Sequence, residues 1–246
     1  MAARTLVILK TGAKPAGLAD HPGDYEDWIL AGMDWPTHEA RVVAVHQGET
    51  LPAPTHIGGV VVTGSAAMVT DGSPWVETAA AWLRAAVAAG KPVLGICYGH
   101  QLLAHALGGA AGWNPAGVEV GVVDVELLPA ADGDPLLDGL PARFPACVSH
   151  RQSARVLPPG ARLLARSALE PHHAFRFGSA WGLQFHPEFS AELMPAYVEG
   201  LRTALEAEGK DPAALVAALQ PTPDSASLLQ RFAAVVLAQQ AGAGDP

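Results

Sequence analysis

The chain has 246 residues, 50% of them hydrophobic and 16% charged, with a net charge of −9 and two cysteines. That composition excludes a disordered chain and a disulfide scaffold, and the length allows one sizeable core. The acidic balance lacks any basic cluster, so no nucleic-acid partner is expected, and no apolar run is long enough for a membrane span.

Residues 5–10 read as a first strand, because the apolar run there is too short for a signal peptide. A helix is expected over 24–31, with Tyr25, Trp28 and Ile29 at helical spacing, and short strands over 41–46 and 60–63. Ser73 as N-cap and Pro74 at the first position open a helix that runs to about residue 89, where Gly90 ends it. A strand over 93–96 leads into a helix over 99–107. Strands over 118–128, 147–149, 162–166, 173–177 and 180–185 then follow one another, joined by turns. A helix over 190–208 with Ser190 as N-cap, another over 213–219, and a last one from an Asp224 cap to about residue 240 complete the chain, with a frayed tail over 241–246.

The pattern predicts an α/β three-layer sandwich: a mostly parallel central sheet, helices on both faces, and a small antiparallel β layer in the second half. The whole chain, 1–246, is read as a single domain, with a core over about 5–209 and a helical extension over about 210–246. Two cysteines without an export signal point to the cytoplasm.

The run Gly95-Ile96-Cys97-Tyr98-Gly99-His100-Gln101 has the form of a nucleophile elbow, with glycine two residues before and two after a cysteine. Such a turn presents the thiol at the N-terminus of a helix, where amides and the dipole favour thiolate. The Tyr98 amide points where an oxyanion would form. Downstream, Gln184-Phe185-His186-Pro187-Glu188 ends a strand. Residues i and i+2 share a strand face, so Glu188 can orient the His186 imidazole toward Cys97. Gly64, in Val60-Val61-Val62-Thr63-Gly64-Ser65, lets the backbone approach a ligand as a second oxyanion donor; the plainer reading is a strand and a turn.

These strings, with Val148-Ser149-His150, resemble the class I glutamine amidotransferases over roughly residues 5–197. The last of them resembles the Ser-His element of the glutaminase half of GMP synthetases. The Gly23-Asp24-Tyr25-Glu26-Asp27 string favours a stand-alone, GMP-synthetase-glutaminase-like subgroup. The resemblance implies a Cys97, His186 and Glu188 triad, oxyanion donors at Gly64 and Tyr98, and binding of the amino-acid end of glutamine by Gln101, Ser149 and His150. It implies a γ-glutamyl thioester, no metal and no organic cofactor. The substrate is then glutamine or another γ-glutamyl compound, with ammonia passed to an unidentified acceptor or partner. Because no synthetase domain fits after Pro187, the chain is expected to be either one subunit of a pair with a separate synthetase or a self-sufficient hydrolase. Arg151-Gln152 departs from the Gly-Asp that follows this element in GMP synthetases, and Ala66-Ala67 departs from the proline-containing loop of many relatives.

Three alternatives stand beside this reading: a stand-alone γ-glutamyl peptide hydrolase, a non-catalytic binding module, and the broader group of cysteine-elbow proteins, which lack the late His-Pro-Glu. Cys147, in a Val/Phe-rich stretch without flanking glycines, reads as core packing. His100 has a packing or hydrogen-bond role, His172 and His173 read as exposed, and the acidic run 20–27 as a solvated face. No His-x-x-x-His or Cys-x-x-Cys spacing marks a metal site.

Overall fold

The computed structural model describes residues 5–190 and 192–242. The first half alternates strands and helices: β1 (Leu6–Lys10), α1 (Tyr25–Gly32), β2 (Ala40–Ala44), β3 (Gly59–Val62), α2 (Pro74–Ala88), β4 (Val93–Ile96) and α3 (Tyr98–Ala106). Seven strands follow: β5 (Ala110–Trp113), β6 (Glu119–Leu127), β7 (Arg143–His150), β8 (Gln152–Val156), β9 (Arg162–Arg166), β10 (Ala174–Phe177) and β11 (Ala180–Leu183). Helices α4 (Leu193–Gly200), α5 (Arg202–Ala207), α6 (Pro212–Ala217) and α7 (Pro223–Gly242) complete the described chain.

Nine strands form one sheet in the order β2-β1-β3-β4-β11-β10-β9-β6-β7. The half from β2 to β11 is parallel, and the strands beyond β11 continue it antiparallel. β5 and β8 pair as a separate two-stranded antiparallel layer. β1, β3, β4 and β11 are apolar runs because both faces are covered, while the edge strand β2 is partly exposed. Leu6, Ile8, Val61 and Leu94 pack with Ile29 of α1, Val198 of α4 and Phe232 of α7. Their neighbours Val7, Leu9, Val60, Val62 and Val93 pack on the opposite face with Leu83 of α2 and Leu102 of α3. Each such side chain contributes about 1.5–3 kcal/mol by burial. The three layers follow from the period of two along each strand.

Some local expectations shift. The helix expected over 190–208 is two, α4 and α5, broken at Leu201, beside the point where Gly200 packs backbone to backbone on Gly17. Ser190 Oγ accepts from Leu193 N at 3.2 Å, as a cap would, but α4 starts only at Leu193. α7 starts two residues early: Pro223 takes the first helical position, and Asp224 lies inside the first turn rather than capping it. β5 and β8 carry few β-branched residues and escaped the sequence reading. The acidic run is not wholly a solvated face. Asp24 caps α1 and, with Glu26, holds the half-buried Lys10 amine at 2.8 and 2.5 Å. Of the tail expected to fray, Ala241 and Gly242 belong to α7, and residues 243–246 lie outside the described residues. Among the described residues no helix is long and apolar enough to cross a membrane.

Candidate active site

Cys97 alone makes the turn from β4 to α3, with φ 50° and ψ −101°. Among the described residues only Asp34 shares a positive φ without being glycine. The flanking glycines serve close approach. A Cβ on Gly95 would stand 2.4 Å from the Gly99 carbonyl oxygen, and one on Gly99 2.4 Å from that of Val62. The strained dihedral falls on the cysteine itself. Cys97 N donates to Leu183 O at 2.8 Å, so the ladder that pairs β4 with β11 also sets the thiol beside the segment leaving β11.

That segment carries His186 and Glu188. The expected strand over 180–185 stops at Leu183, and the chain turns at Pro187, so the i, i+2 pair meets across a turn rather than on a strand face. His186 N donates to Cys147 O at 2.8 Å, which anchors the turn to β7. His186 Nδ1 and Glu188 Oε1 are 2.7 Å apart, with both side chains buried. The imidazole stacks on Phe189 at 4.0 Å and 6°. Nε2 is buried with no hydrogen-bond partner and is the ring nitrogen left for Cys97, whose charge acts on the imidazole. Burial alone would lower the imidazole pKa. The charges of Glu188 and Cys97, and the hydrogen bond to Glu188, outweigh it and raise the value.

Gly64 lies against the same ring: a Cβ there would be 3.2 Å from His186 Cε1. Its loop is fixed on the β1 side, where Thr11 Oγ1 donates to the carbonyls of Thr63 at 3.0 Å and Gly64 at 3.2 Å. Tyr98 is the first residue of α3, where an amide has no place in the helix ladder. A cavity of about 100 Å³ opens on Cys97 and is lined by Tyr98, Gln101, Ser149, His150 and Tyr197 among others. A larger one of about 760 Å³, between α2, α3 and the β10–β11 turn, touches none of them.

All eight residues singled out in the sequence therefore cluster here, though not all as expected. Ser149 presents its carbonyl 3.8 Å from Cys97 Sγ. Gln101 does not point its amide nitrogen at the cavity: Nε2 donates to Gln152 O at 2.7 Å and Gln184 Oε1 at 3.1 Å. The His150 imidazole turns inward, to Glu119 at 2.9 Å and Gln152 O at 3.0 Å. Sequence reasoning missed Tyr197, whose hydroxyl meets that of Tyr25 at 3.2 Å and which no local pattern marks; it also gave no role to Gln184, although that residue opens the string that holds His186 and Glu188. Arg151 lines the cavity and pairs with Glu208 at 2.6 Å.

Behind the cavity, Glu119 Oε2 accepts from His150 Nε2 at 2.9 Å and from His173 Nε2 at 3.0 Å. Ser167 Oγ donates to Oε1 at 2.6 Å. His173 is thus fully buried rather than exposed, with Glu119 pairing its Nε2 while Nδ1 is buried with no hydrogen-bond partner. These three ligand-type side chains gather from distant segments, which motif spacing could not show, but their separations are hydrogen-bond lengths. Burial would raise the Glu119 carboxyl; the hydrogen bonds from both histidines hold it well below the usual range. Its contribution to stability is therefore complete above the ordinary value of 4.5 and lost as the pH falls below it. In thermal unfolding from pH 7 down to 3, Glu119→Gln should start lower and fall less steeply below pH 4.5 than the parent. Parallel curves would show that the carboxylate contributes nothing.

A thiol on a strand-to-helix turn, beside an imidazole held by a carboxylate, is the layout of cysteine-dependent acyl-transfer sites. The chain belongs to the class I glutamine amidotransferase family, whose profile (Glutamine amidotransferase class-I) matches residues 32–200, more than half of its length. It is 46% identical over 143 residues to the glutamine-hydrolysing GMP synthase of Aeropyrum pernix, a stretch covering 57% of this chain and 25% of that protein. It is 41% identical over 99 residues to one subunit of the glutamine-hydrolysing GMP synthase of Thermococcus kodakarensis, covering 39% of this chain and 50% of that relative. The chain thus spans between a quarter and a half of these relatives. The fold is shared with a crystal structure of a glutamine amidotransferase from Thermotoga maritima, with a TM-score of 0.74 at 23% identity over 96% of this chain and 98% of that one.

Proposed function

We propose that the protein hydrolyses the side-chain amide of glutamine through a γ-glutamyl thioester on Cys97. His186 takes the thiol proton, and Glu188 fixes the ring and supports its cationic form. The thiolate attacks the amide carbon. His186 then returns the proton to the departing ammonia, and water hydrolyses the thioester with the roles reversed. The observation that carries this reading is the 2.7 Å contact of Nδ1 with Glu188, which leaves Nε2 for the sulfur of the elbow.

The amides of Gly64 and Tyr98 receive the oxyanion. A trans peptide sets its N–H opposite its C=O. With the Thr63 carbonyl held by Thr11 on the β1 side of β3, the Gly64 N–H faces the β4 side, where Cys97 lies. The oxyanion loop is on this reading preformed. Ser149 and His150 bound the cavity that takes the amino-acid end of the substrate. By likeness to a relative named as a GMP synthase subunit, the ammonia passes to a separate synthetase chain.

Glutamine and γ-glutamyl dipeptides, incubated side by side and read by mass spectrometry, test the substrate. Release of ammonia and glutamate from glutamine, with a glutamine-mimicking diazoketone labelling Cys97 alone, is the expected result. Cleavage of the dipeptides only would make the protein a γ-glutamyl peptide hydrolase. No turnover and no label would leave a non-catalytic binding module.

A further inference from the structure

Gln184 is fully buried beside the elbow, in contact with Cys97 and Gln101, and the mechanism above does not use it. Its Nε2 lies 3.6 Å from Cys97 Sγ. Its orientation follows from its neighbours. Gln101 Nε2 faces the backbone carbonyl of Gln152 at 2.7 Å, which only a donor can satisfy. The second hydrogen on that nitrogen is directed at Gln184, 3.1 Å away, so the atom facing it is the acceptor Oε1. The other end of the Gln184 amide, an N–H, is thereby turned onto the sulfur. The sulfur also lies 3.8 Å from the Ser149 carbonyl.

We propose that Gln184 is a further catalytic residue, donating a hydrogen bond to the Cys97 sulfur, and that Gln101 is the positioning residue that aims it. This rests on Cys97 being the nucleophile. The hydrogen stays on the Gln184 nitrogen throughout; the bond stabilises the thiolate and fixes its lone pairs before attack on the amide carbon. A donor of this kind has two opposed effects. It raises the thiolate fraction at a given pH, and it makes each thiolate less nucleophilic. The two can be separated, because only the first depends on pH.

The test is the pH profile of Cys97 alkylation by iodoacetamide in the folded full chain. Gln184→Met removes the N–H at similar length. Its midpoint should move up by about one pH unit, a tenfold change in thiolate fraction. Its high-pH plateau should rise about threefold, as a Brønsted slope of roughly 0.4–0.5 requires. Gln184→Glu keeps the shape and puts a carboxylate beside the sulfur, so it serves if the methionine variant fails to fold; its midpoint should move further up. Gln101→Leu should move the midpoint the same way by less, since Gln184 is then free to turn. The other titratable groups around the sulfur are His186, Glu188, Tyr25, Tyr197 and Arg151, and all stay intact in these variants. Midpoints and plateaus equal to the parent's in folded variants would overturn the proposal. Glutamine turnover separates the two readings. An active parent whose variants keep its profile loses only the inference. An inactive parent whose variants shift as expected keeps the hydrogen bond and loses the amidotransferase reading.

Discussion

Cys97→Gly is expected to abolish glutamine hydrolysis and yet to unfold at a higher temperature than Cys97→Ala. Both variants lose the sulfur, and with it the thioester, so both should fall by about 10⁴-fold or more. They differ in the backbone. At φ 50° and ψ −101° Cys97 occupies a region that costs an L residue about 1–3 kcal/mol, and alanine inherits that cost. Glycine escapes it and loses only about 0.5–1 kcal/mol through its freer unfolded chain. The net advantage of glycine is about 1–2 kcal/mol, or roughly 2–8 °C in a chain of this size. At ordinary helix or strand positions the order is reversed, so the sign alone is informative. Circular dichroism melts beside an ammonia-release assay give both readouts. A glycine variant less stable than the alanine one would show that the elbow stores no strain at this residue.

The strain explains which parts of the site were legible in the sequence. An elbow needs small residues where backbones touch, and Gly95 and Gly99 are where the chain would otherwise collide with itself and with Val62. That constraint is local and leaves a spacing. His186 and Glu188 are two residues apart and their partnership is local too, though the turn at Pro187 makes it rather than a strand face. β1, β3 and β4 were read to within a residue because each is buried on both faces and so is apolar almost throughout, whereas the half-exposed β2 and the end of β11 were not. What tertiary contact alone decides was not legible. Gln101 reads as a substrate contact until β8 supplies a carbonyl for its nitrogen. His173 reads as exposed until Glu119, 54 residues earlier, accepts from it. Tyr197 enters the cavity from within α4, and neither its place there nor the break after Gly200 against Gly17 has a motif.

Glu188→Gln separates a charge from a shape. The parent carboxylate accepts from His186 Nδ1 at 2.7 Å, and its other oxygen, Oε2, is buried with no hydrogen-bond partner. A glutamine of the same outline can still accept with its oxygen, but it then buries an amide nitrogen where nothing accepts; turned round, it presents N–H to Nδ1 and forces the wrong tautomer. Either way the imidazole loses the negative charge of Glu188, and burial, which lowers its pKa, is opposed by Cys97 alone. A ring that cannot hold the thiol proton cannot return it to ammonia, so kcat should fall about 10²–10⁴-fold with a smaller change in KM. The stability effect has a defined sign. The parent's raised imidazole contributes fully below the ordinary value of 6.5, and the contribution is lost as the pH rises through the raised value. The gap in melting temperature between parent and variant should therefore narrow as the pH rises above 6.5. A variant that retains the parent's kcat would leave Glu188 a packing residue and would remove the carboxylate from the proposed relay.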